Sequence, residues 1–441
     1  MSTTESAPIE RQEKLPASDD VTEVAPGIYR LQLPINLPGL GHVNCFALED
    51  SKGFTVVDPG FPDPGTAQAL ADRMAQIGAP VRRIHTVFVT HSHPDHFGGA
   101  GRLRITNQAD IVAHEHFTTL FNRDDDHDHD VELEGRRSDD GFDPARFADA
   151  LLGDGPIPEL PTRRSPWGGT VPFPTSDEIT WMRAWDDDGK RGFVDNEPNV
   201  RVADHEMIVL GGREWQAVHT PGHTGDHVCL FDPADGILLS GDHVLPTITP
   251  HISGMTRSHD SLADFFAALR KVATLDGVQL VLPAHGHPFT DLMGRVDAIE
   301  RHHVERLDDL ARIGADIGDA SVIEFSHHLF KERSWGAMAE SETFAHLEHL
   351  RLAGRAASRT VDGQLHYAIE RHHVERLDDL ARIGADIGDA SVIEFSHHLF
   401  KERSWGAMAE SETFAHLEHL RLAGRATSRT VDGQLHYAIE R

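Results

Sequence analysis

The chain is poor in cysteine, in basic residues and in long apolar runs. Two cysteines in 441 residues leave no material for a disulfide framework. Cys45 and Cys229 each sit in an apolar, strand-like run and read as buried free thiols. Lys and Arg number 41 against 71 Asp and Glu, a formal net charge of −30. That balance favours solubility and argues against a broad nucleic-acid footprint, which depends on clustered Lys and Arg. No stretch reaches the ~18 apolar residues of a membrane span. Residues 1–20 are polar and lack the apolar core of a secretory signal. A soluble, cytoplasmic protein without a membrane partner is expected.

What is present is a dense group of metal-binding residue types. His91-Ser92-His93-Pro94-Asp95-His96 puts three histidines and one aspartate into six residues. It follows the apolar run Ile84–Val89, which reads as a buried strand. Ligands there sit at the mouth of a rigid element. Imidazole and carboxylate together suit zinc or a similar divalent ion. In an extended segment His91 and His93 point the same way and can reach one ion. Asp95 and His96 follow the turn at Pro94 and can reach a second.

The organisation around this cluster is α/β. Residues 1–20 read as a disordered tail. Strands are expected over Ile28–Leu33, Val43–Leu48 and Phe54–Val57. A helix follows with Ala67, Leu70, Ala71, Met74 and Ile77 on one face, and Ile111–Ala113 is another strand. Residues 117–200 break the pattern and read as a solvated insertion, or as a lid over the site. They carry an Asp/His run, Asp124 to Asp130, that is a weak candidate for loose metal binding. Strands return at Met207–Leu210, Glu214–Val218, Val228–Phe231, Ile237–Leu239 and Val278–Leu282. An amphipathic helix carries Leu262, Phe265, Phe266, Leu269 and Val272. His223, Asp242 and His285 each follow an apolar strand and are flanked by Gly or Pro, the same setting as the first cluster.

The last third is a duplication. Residues 298–367 recur at 368–437 with one difference, Ala357 against Thr427. Each copy reads as three helices and a hairpin turning at Asp-Gly. The first copy holds 8 Lys or Arg against 12 Asp or Glu, a poor phosphate reader. If the first copy docks on the rest of the chain, the equivalent face of the second is expected to be exposed or to pair with another chain, giving a homo-oligomer.

The order His-x-His-x-Asp-His, Pro-Gly-His-Thr, Gly-Asp, Ala-His-Gly resembles the metallo-β-lactamase-fold hydrolases of the glyoxalase II and β-lactamase-like protein 2 type. The C-terminal unit resembles the winged-helix domain attached to some members. The resemblance implies an αββα sandwich over 21–295, with the insertion at 117–200. Two winged-helix-like units follow, at 296–367 and 368–441. It implies that His91, His93 and His223 bind one zinc ion, and that Asp95, His96 and His285 bind a second. Asp242 would bridge them, with iron or manganese as alternatives to zinc. His285 is preferred to His287, His227 is expected behind the ligands, and Asp58 is expected to support a ligand histidine. The implied activity is hydrolysis of an ester, thioester or lactone of a small metabolite by a metal-bridging hydroxide, with Asp95 orienting the nucleophile. Two alternatives are a metal-dependent endoribonuclease and a non-catalytic, metal-stabilised partner-binding protein.

Overall fold

The computed structural model describes residues 11–37, 39–121, 143–158, 163–171, 174–256, 258–369, 371–401, 405–431 and 433–439. The Asp/His run at 124–130 lies outside them. The chain divides into two units, Met1–Arg295 and Val296–Arg441.

In the first unit, one sheet collects β1 (Thr22–Ala25), β2 (Ile28–Leu37), β3 (Leu40–Glu49), β4 (Phe54–Val57), β5 (Ile84–Phe88) and β6 (Asp110–His114). The short ribbon β7 (Arg163–Arg164) and β8 (Thr170–Val171) stands apart, and β9 (Val200–Val202) completes the sheet beside β6. The second sheet runs β10 (Met207–Leu210), β11 (Arg213–His219), β12 (Val228–Asp232), β13 (Ile237–Gly241) and β14 (Leu280–Pro283), in that order. Strands β4, β5, β6 and β9 are mutually parallel, as are β13 and β14.

The period of two along each strand builds the layers. In β3, Val43, Cys45 and Ala47 enter one core while Phe46 and Leu48 enter another. In β6, Ile111 and Ala113 face the first core and Val112 the second. The second core lies between the sheets, where Ile28, Phe46, Val57 and Phe88 meet Trp215, Leu230, Leu239 and Leu282. The first lies under the helices α1 (Pro64–Gln76), α2 (Pro94–Phe97) and α3 (Ala100–Asn107). Strands buried on both faces read as near-continuous apolar runs, and β4, β12 and β13 do so apart from Thr55, Asp232 and Ser240. Both cysteines are free and buried as expected, and burial pushes the Cys229 thiol up to about 12.

Two expectations need correction. Residues 11–20 are not a disordered tail. Gln12–Lys14 form a 3-10 turn and Glu13 is buried. Leu15 O accepts from His42 Nδ1 at 2.9 Å, and Gln12 Oε1 accepts from His287 N at 2.7 Å. Composition shows only polarity there; pairing of those polar groups with the sheet holds the segment. Nor is the described part of the insertion merely a solvated loop. Its helices α4 (Pro144–Leu152), α5 (Ser176–Arg183) and α6 (Asp187–Val194) send Phe147, Leu151, Ile179, Met182, Trp185 and Phe193 into the first core. Phe97 stacks on Phe193 with centroids 5.4 Å apart. Gly101 and Gly192 let α3 and α6 touch backbone to backbone, since a Cβ on Gly101 would lie 2.1 Å from Gly192 O.

After α7 (Ser261–Ala273), α8 (Leu292–Ile317) leads into the second unit. Its first copy holds β15 (Ala320–Ser321), α9 (Val322–Leu329), α10 (Ala337–Leu352), β16 (Ala356–Val361) and β17 (Gln364–Ile369). The second copy repeats the pattern with α11 (Arg371–Ile387), β18 (Ala390–Ser391), α12 (Val392–Leu399), α13 (Ala407–Leu422), β19 (Ala426–Val431) and β20 (Gln434–Ile439). The hairpin turns at Asp362-Gly363, where both residues have positive φ, 49° and 79°. Each copy forms a three-stranded sheet. The two-residue strands β15 and β18 carry no periodicity to read. Asp308 of the first copy pairs with His419 of the second. Among the described residues no helix is long and apolar enough to cross a membrane.

One identical helix sequence meets two environments. In α10, Phe344 is 7% exposed and Ser341 and Ala345 are buried. In α13, Phe414 is 43% exposed and Ser411 and Ala415 are exposed. Phe344→Ala should therefore destabilise the second unit by about 3–5 kcal/mol. Phe414→Ala should stay within about 0.5 kcal/mol. Urea unfolding followed by hydrogen exchange of the second unit separates them, and equal costs would contradict the difference in burial.

Candidate metal centre

The centre forms where strand ends meet. β11, β13 and β14 run the same way, and their ends deliver His223, Asp242 and His285. β4 and β5 deliver Asp58 and the His91–His96 segment. Backbone bonds join these ends: Val228 N to Thr90 O at 2.9 Å, Asn44 N to Ala284 O at 2.7 Å and Ala284 N to Gly241 O at 3.0 Å. His93 is the extended N-cap of α2, and Pro94 opens that helix. The change from extended chain to helix divides His91 and His93 from Asp95 and His96.

The structure brings all seven sequence-derived residues together. His91 Nε2 and His223 Nε2 lie 3.0 and 3.1 Å from His93 Nδ1. Asp242 Oδ2 lies 3.5 Å from His223 Nε2 and 4.0 Å from His91 Nε2. On the other side, Asp95 Oδ2 is 3.6 Å from both His96 Nε2 and His285 Nε2. Asp242 reaches this side too, with Oδ2 3.6 Å from His96 Nε2 and Oδ1 3.4 Å from His285 Nε2. Thus His91, His93, His223 and Asp242 form one group, Asp95, His96 and His285 another, and Asp242 touches both.

The outer hydrogen bonds fix which ring nitrogen faces inward. His96 Nδ1 donates to Asp58 Oδ2 at 2.8 Å. His285 Nδ1 donates to His42 O at 2.8 Å, and His223 Nδ1 to His251 O at 2.6 Å. The Thr90 hydroxyl gives its only proton to Asp58 Oδ2 at 2.7 Å, so it accepts from His91 Nδ1 at 3.0 Å. Four rings therefore present an Nε2 lone pair to the centre.

These residues fit a divalent metal pair. His96 Nε2, His285 Nε2 and Asp242 Oδ1 are buried without a hydrogen-bond partner. Lone pairs facing one another in a dry site repel unless a cation stands between them. The field agrees. Burial works to lower the His96 pKa, yet Asp95, Asp242 and Asp58 raise it well above its usual value. His285 is raised by Asp242 and Asp95, likewise against burial. The carboxylates thus favour a positive charge where a metal would stand. Burial and the neighbouring His96 hold His91 well below its usual value, so that ring is neutral and ready to bind. Imidazole and carboxylate donors match zinc and other first-row ions.

The remaining candidates stand outside the ligand groups. His227 Nε2 accepts from Asp242 N at 3.0 Å, so its Nδ1 donates to Thr220 Oγ1 at 2.7 Å. It holds Asp242 by its backbone. His287 lies 3.3 Å from Arg30 Nη1 and is in neither group. Asp58 stands behind His96 as expected, at φ +54°, and also accepts from Thr90 N at 2.9 Å. Sequence reasoning missed Asn44, whose Nδ2 donates to Pro283 O at 2.9 Å and Gly286 O at 2.7 Å. That clamp fixes the loop carrying His285. The available signal was one amide inside the apolar strand Val43–Leu48.

Removing the Asp58 carboxylate releases His96 and Thr90 together. Asp58→Ala should weaken metal binding by roughly 10–100-fold. Competition against a chromophoric chelator measures it, with circular dichroism as the control for folding. An unchanged affinity in a folded variant would refute the role given to Asp58.

Comparison with known proteins agrees with this geometry. A family model described as the metallo-beta-lactamase superfamily matches residues 38–285. The chain is 25% identical over 273 residues to the protein named Probable metallo-hydrolase YqjP of Bacillus subtilis (strain 168), covering 60% of this chain and 74% of that one. It is 29% identical over 98 residues to a hydroxyacylglutathione hydrolase of Francisella philomiragia subsp. philomiragia, covering 22% of this chain and 38% of that one. The crystal structure of a metallo-beta-lactamase family protein from Thermus thermophilus superposes with a TM-score of 0.58 at 25% identity, covering 79% of this chain and 100% of that one. The match to the family model takes in six of the seven strand-end ligands and reaches the seventh, His285, as its last residue. The chain belongs to the metallo-beta-lactamase superfamily.

Proposed function

We propose that the chain is a hydrolase that holds two zinc ions and cleaves an ester, thioester or lactone of a small metabolite. The carrying observation is the convergence of seven ligand groups in two sets, with Asp242 reaching both. When bound, such a metal pair makes hydroxide available near neutral pH and offsets the negative charge that develops on the substrate. His91, His93 and His223 would hold one ion, and Asp95, His96 and His285 the other. The Asp95 carboxylate also accepts a hydrogen bond from the attacking water and so orients it. Burial of His91 and His96 keeps bulk solvent from the rear of the centre.

The substrate class is supported by the likeness to a hydroxyacylglutathione hydrolase, because an acylglutathione is a thioester. The net charge of −30 weighs against a nucleic-acid substrate. We read the described helices α4, α5 and α6 of the insertion as the wall of the substrate pocket. Phe97, next to His96 in sequence, stacks on Phe193 of that segment, which meets Trp185 at 5.4 Å. The two C-terminal copies are read as winged-helix-like units.

A panel of thioesters, esters and lactones tests the reading on zinc-loaded protein. Wild type should cleave at least one, and His91→Ala should fall to the uncatalysed rate while losing metal. Inactivity of fully loaded wild type across the panel would refute it. Cleavage of single-stranded RNA that vanishes in His91→Ala would put the endoribonuclease reading in its place.

A further inference from the structure

Outside the seven-residue centre the described residues contain one more group of three side chains whose ligand atoms all lie close enough to share a metal ion. His114 ends β6 in the first sheet, His116 follows two residues later, and His219 ends β11 in the second sheet. One ring nitrogen from each lies within 4.8 Å of the other two. The His114 and His219 rings stack, with centroids 3.9 Å apart and planes 11° from parallel. His116 stands edge-on to both, at 4.9 and 5.4 Å. His114 is 1% exposed and its Nε2 has no hydrogen-bond partner.

The backbone under each ring is fixed. His219 N donates to Asp204 Oδ1 at 2.9 Å, and His219 O accepts from Lys271 Nζ at 2.9 Å. Asp204 and Lys271 pair with each other, so this support adds no net charge. Arg201 Nη1 donates to Glu115 O at 2.8 Å and Phe117 O at 3.1 Å, on either side of His116. His219 Nε2 donates to Gly225 O at 2.9 Å, which leaves its Nδ1 as a lone pair. The amide of His116 points at His114 Nδ1 at 3.3 Å. In the neutral ring, Nε2 is then a buried N–H that donates to nothing, an unfavourable state. Binding a cation at Nε2 would move that proton to Nδ1 and give up only this long contact. Burial holds the His114 pKa down to about 3, and burial also lowers that of His219, so both rings are neutral and able to donate.

We propose that His114, His116 and His219 form a further metal site that takes a divalent transition-metal ion and clips the two sheets together. Three imidazoles with no carboxylate favour zinc, nickel or copper over magnesium or calcium. Three histidines plus an open position is an established zinc arrangement. Bonds of about 2.0–2.1 Å require the half-buried His219 ring to tilt away from the buried His114 ring and the exposed His116 to turn inward. The site shares no residue with the seven-residue centre, so it stands or falls apart from the proposed activity.

The test counts zinc on the full chain after gel filtration in zinc-free buffer. His116→Ala and His219→Ala should each retain one ion per chain fewer than wild type, three falling to two where the main centre holds a pair. His91→Ala should lose metal from the main centre yet keep the further ion. A zinc-dependent rise in melting temperature should persist in His91→Ala and shrink in His116→Ala. Since His116 is exposed, its loss does not threaten the fold, and circular dichroism checks this. A zinc count as high in both His116→Ala and His219→Ala as in wild type would overturn the proposal, whatever number of ions the main centre holds.

Discussion

A buried imidazole binds a cation only through a nitrogen whose proton has been sent elsewhere. The whole centre depends on that condition. Four rings meet it by four separate routes: the Asp58 carboxylate, the Thr90 hydroxyl, the His42 carbonyl and the His251 carbonyl. Two of the routes meet at one atom, Asp58 Oδ2, which accepts from both His96 and Thr90. Asp58 takes a left-handed backbone conformation that non-glycine residues seldom adopt. The conformation persists because three hydrogen bonds from Thr90 and His96 hold the side chain. Strain there is offset by the order it imposes on two ligands.

The same condition explains which parts of the site are legible in the sequence. The candidate ligands can be read because each follows an apolar strand, where rigid backbone ends. His91, His93, Asp95, His96, His223, Asp242 and His285 all carry that local mark. Their partners do not. The carbonyls of His42 and His251 belong to the backbone, and any residue there would offer the same oxygen. Asn44 lies 239 positions from the Pro283 carbonyl it holds. The His114 cluster is hidden for a related reason: its residues are far apart in sequence, and only the packing of one sheet on the other brings the ends of β6 and β11 together. Residues 11–20 and 143–199 look solvated in the sequence because composition cannot reveal a long-range partner.

The duplicated region makes the point with sequence held constant. α10 and α13 are identical, with identical propensity and pattern. One buries its Phe and the other exposes it. The local features match: both copies have the Ser/Glu capping box, at Ser321 and Glu324 and at Ser391 and Glu394. Helix boundaries and hairpin register are therefore set by the sequence of each copy, whereas burial of the α10 face is set by what lies beside it. The Asp308–His419 pair shows why neighbours differ. Its heads come from non-equivalent positions, so the copies join head to tail. A head-to-tail contact leaves one copy of each surface unused.

The packing of the insertion bears on how firmly the centre is held. Phe97 follows His96 in the same short helix, and its ring rests on Phe193 while meeting Phe117 edge-on at 6.1 Å. Phe193 in turn contacts Phe121 and Trp185. A change in this aromatic group reaches the backbone of a ligand through one peptide unit. Close-packed rings transmit displacement because no free volume absorbs it. The glycine contact between α3 and α6 removes a further degree of slack, since neither helix can move towards the other. Displacement of the described part of the insertion would therefore push on His96 through Phe97, while Asp58 holds that ring at Nδ1.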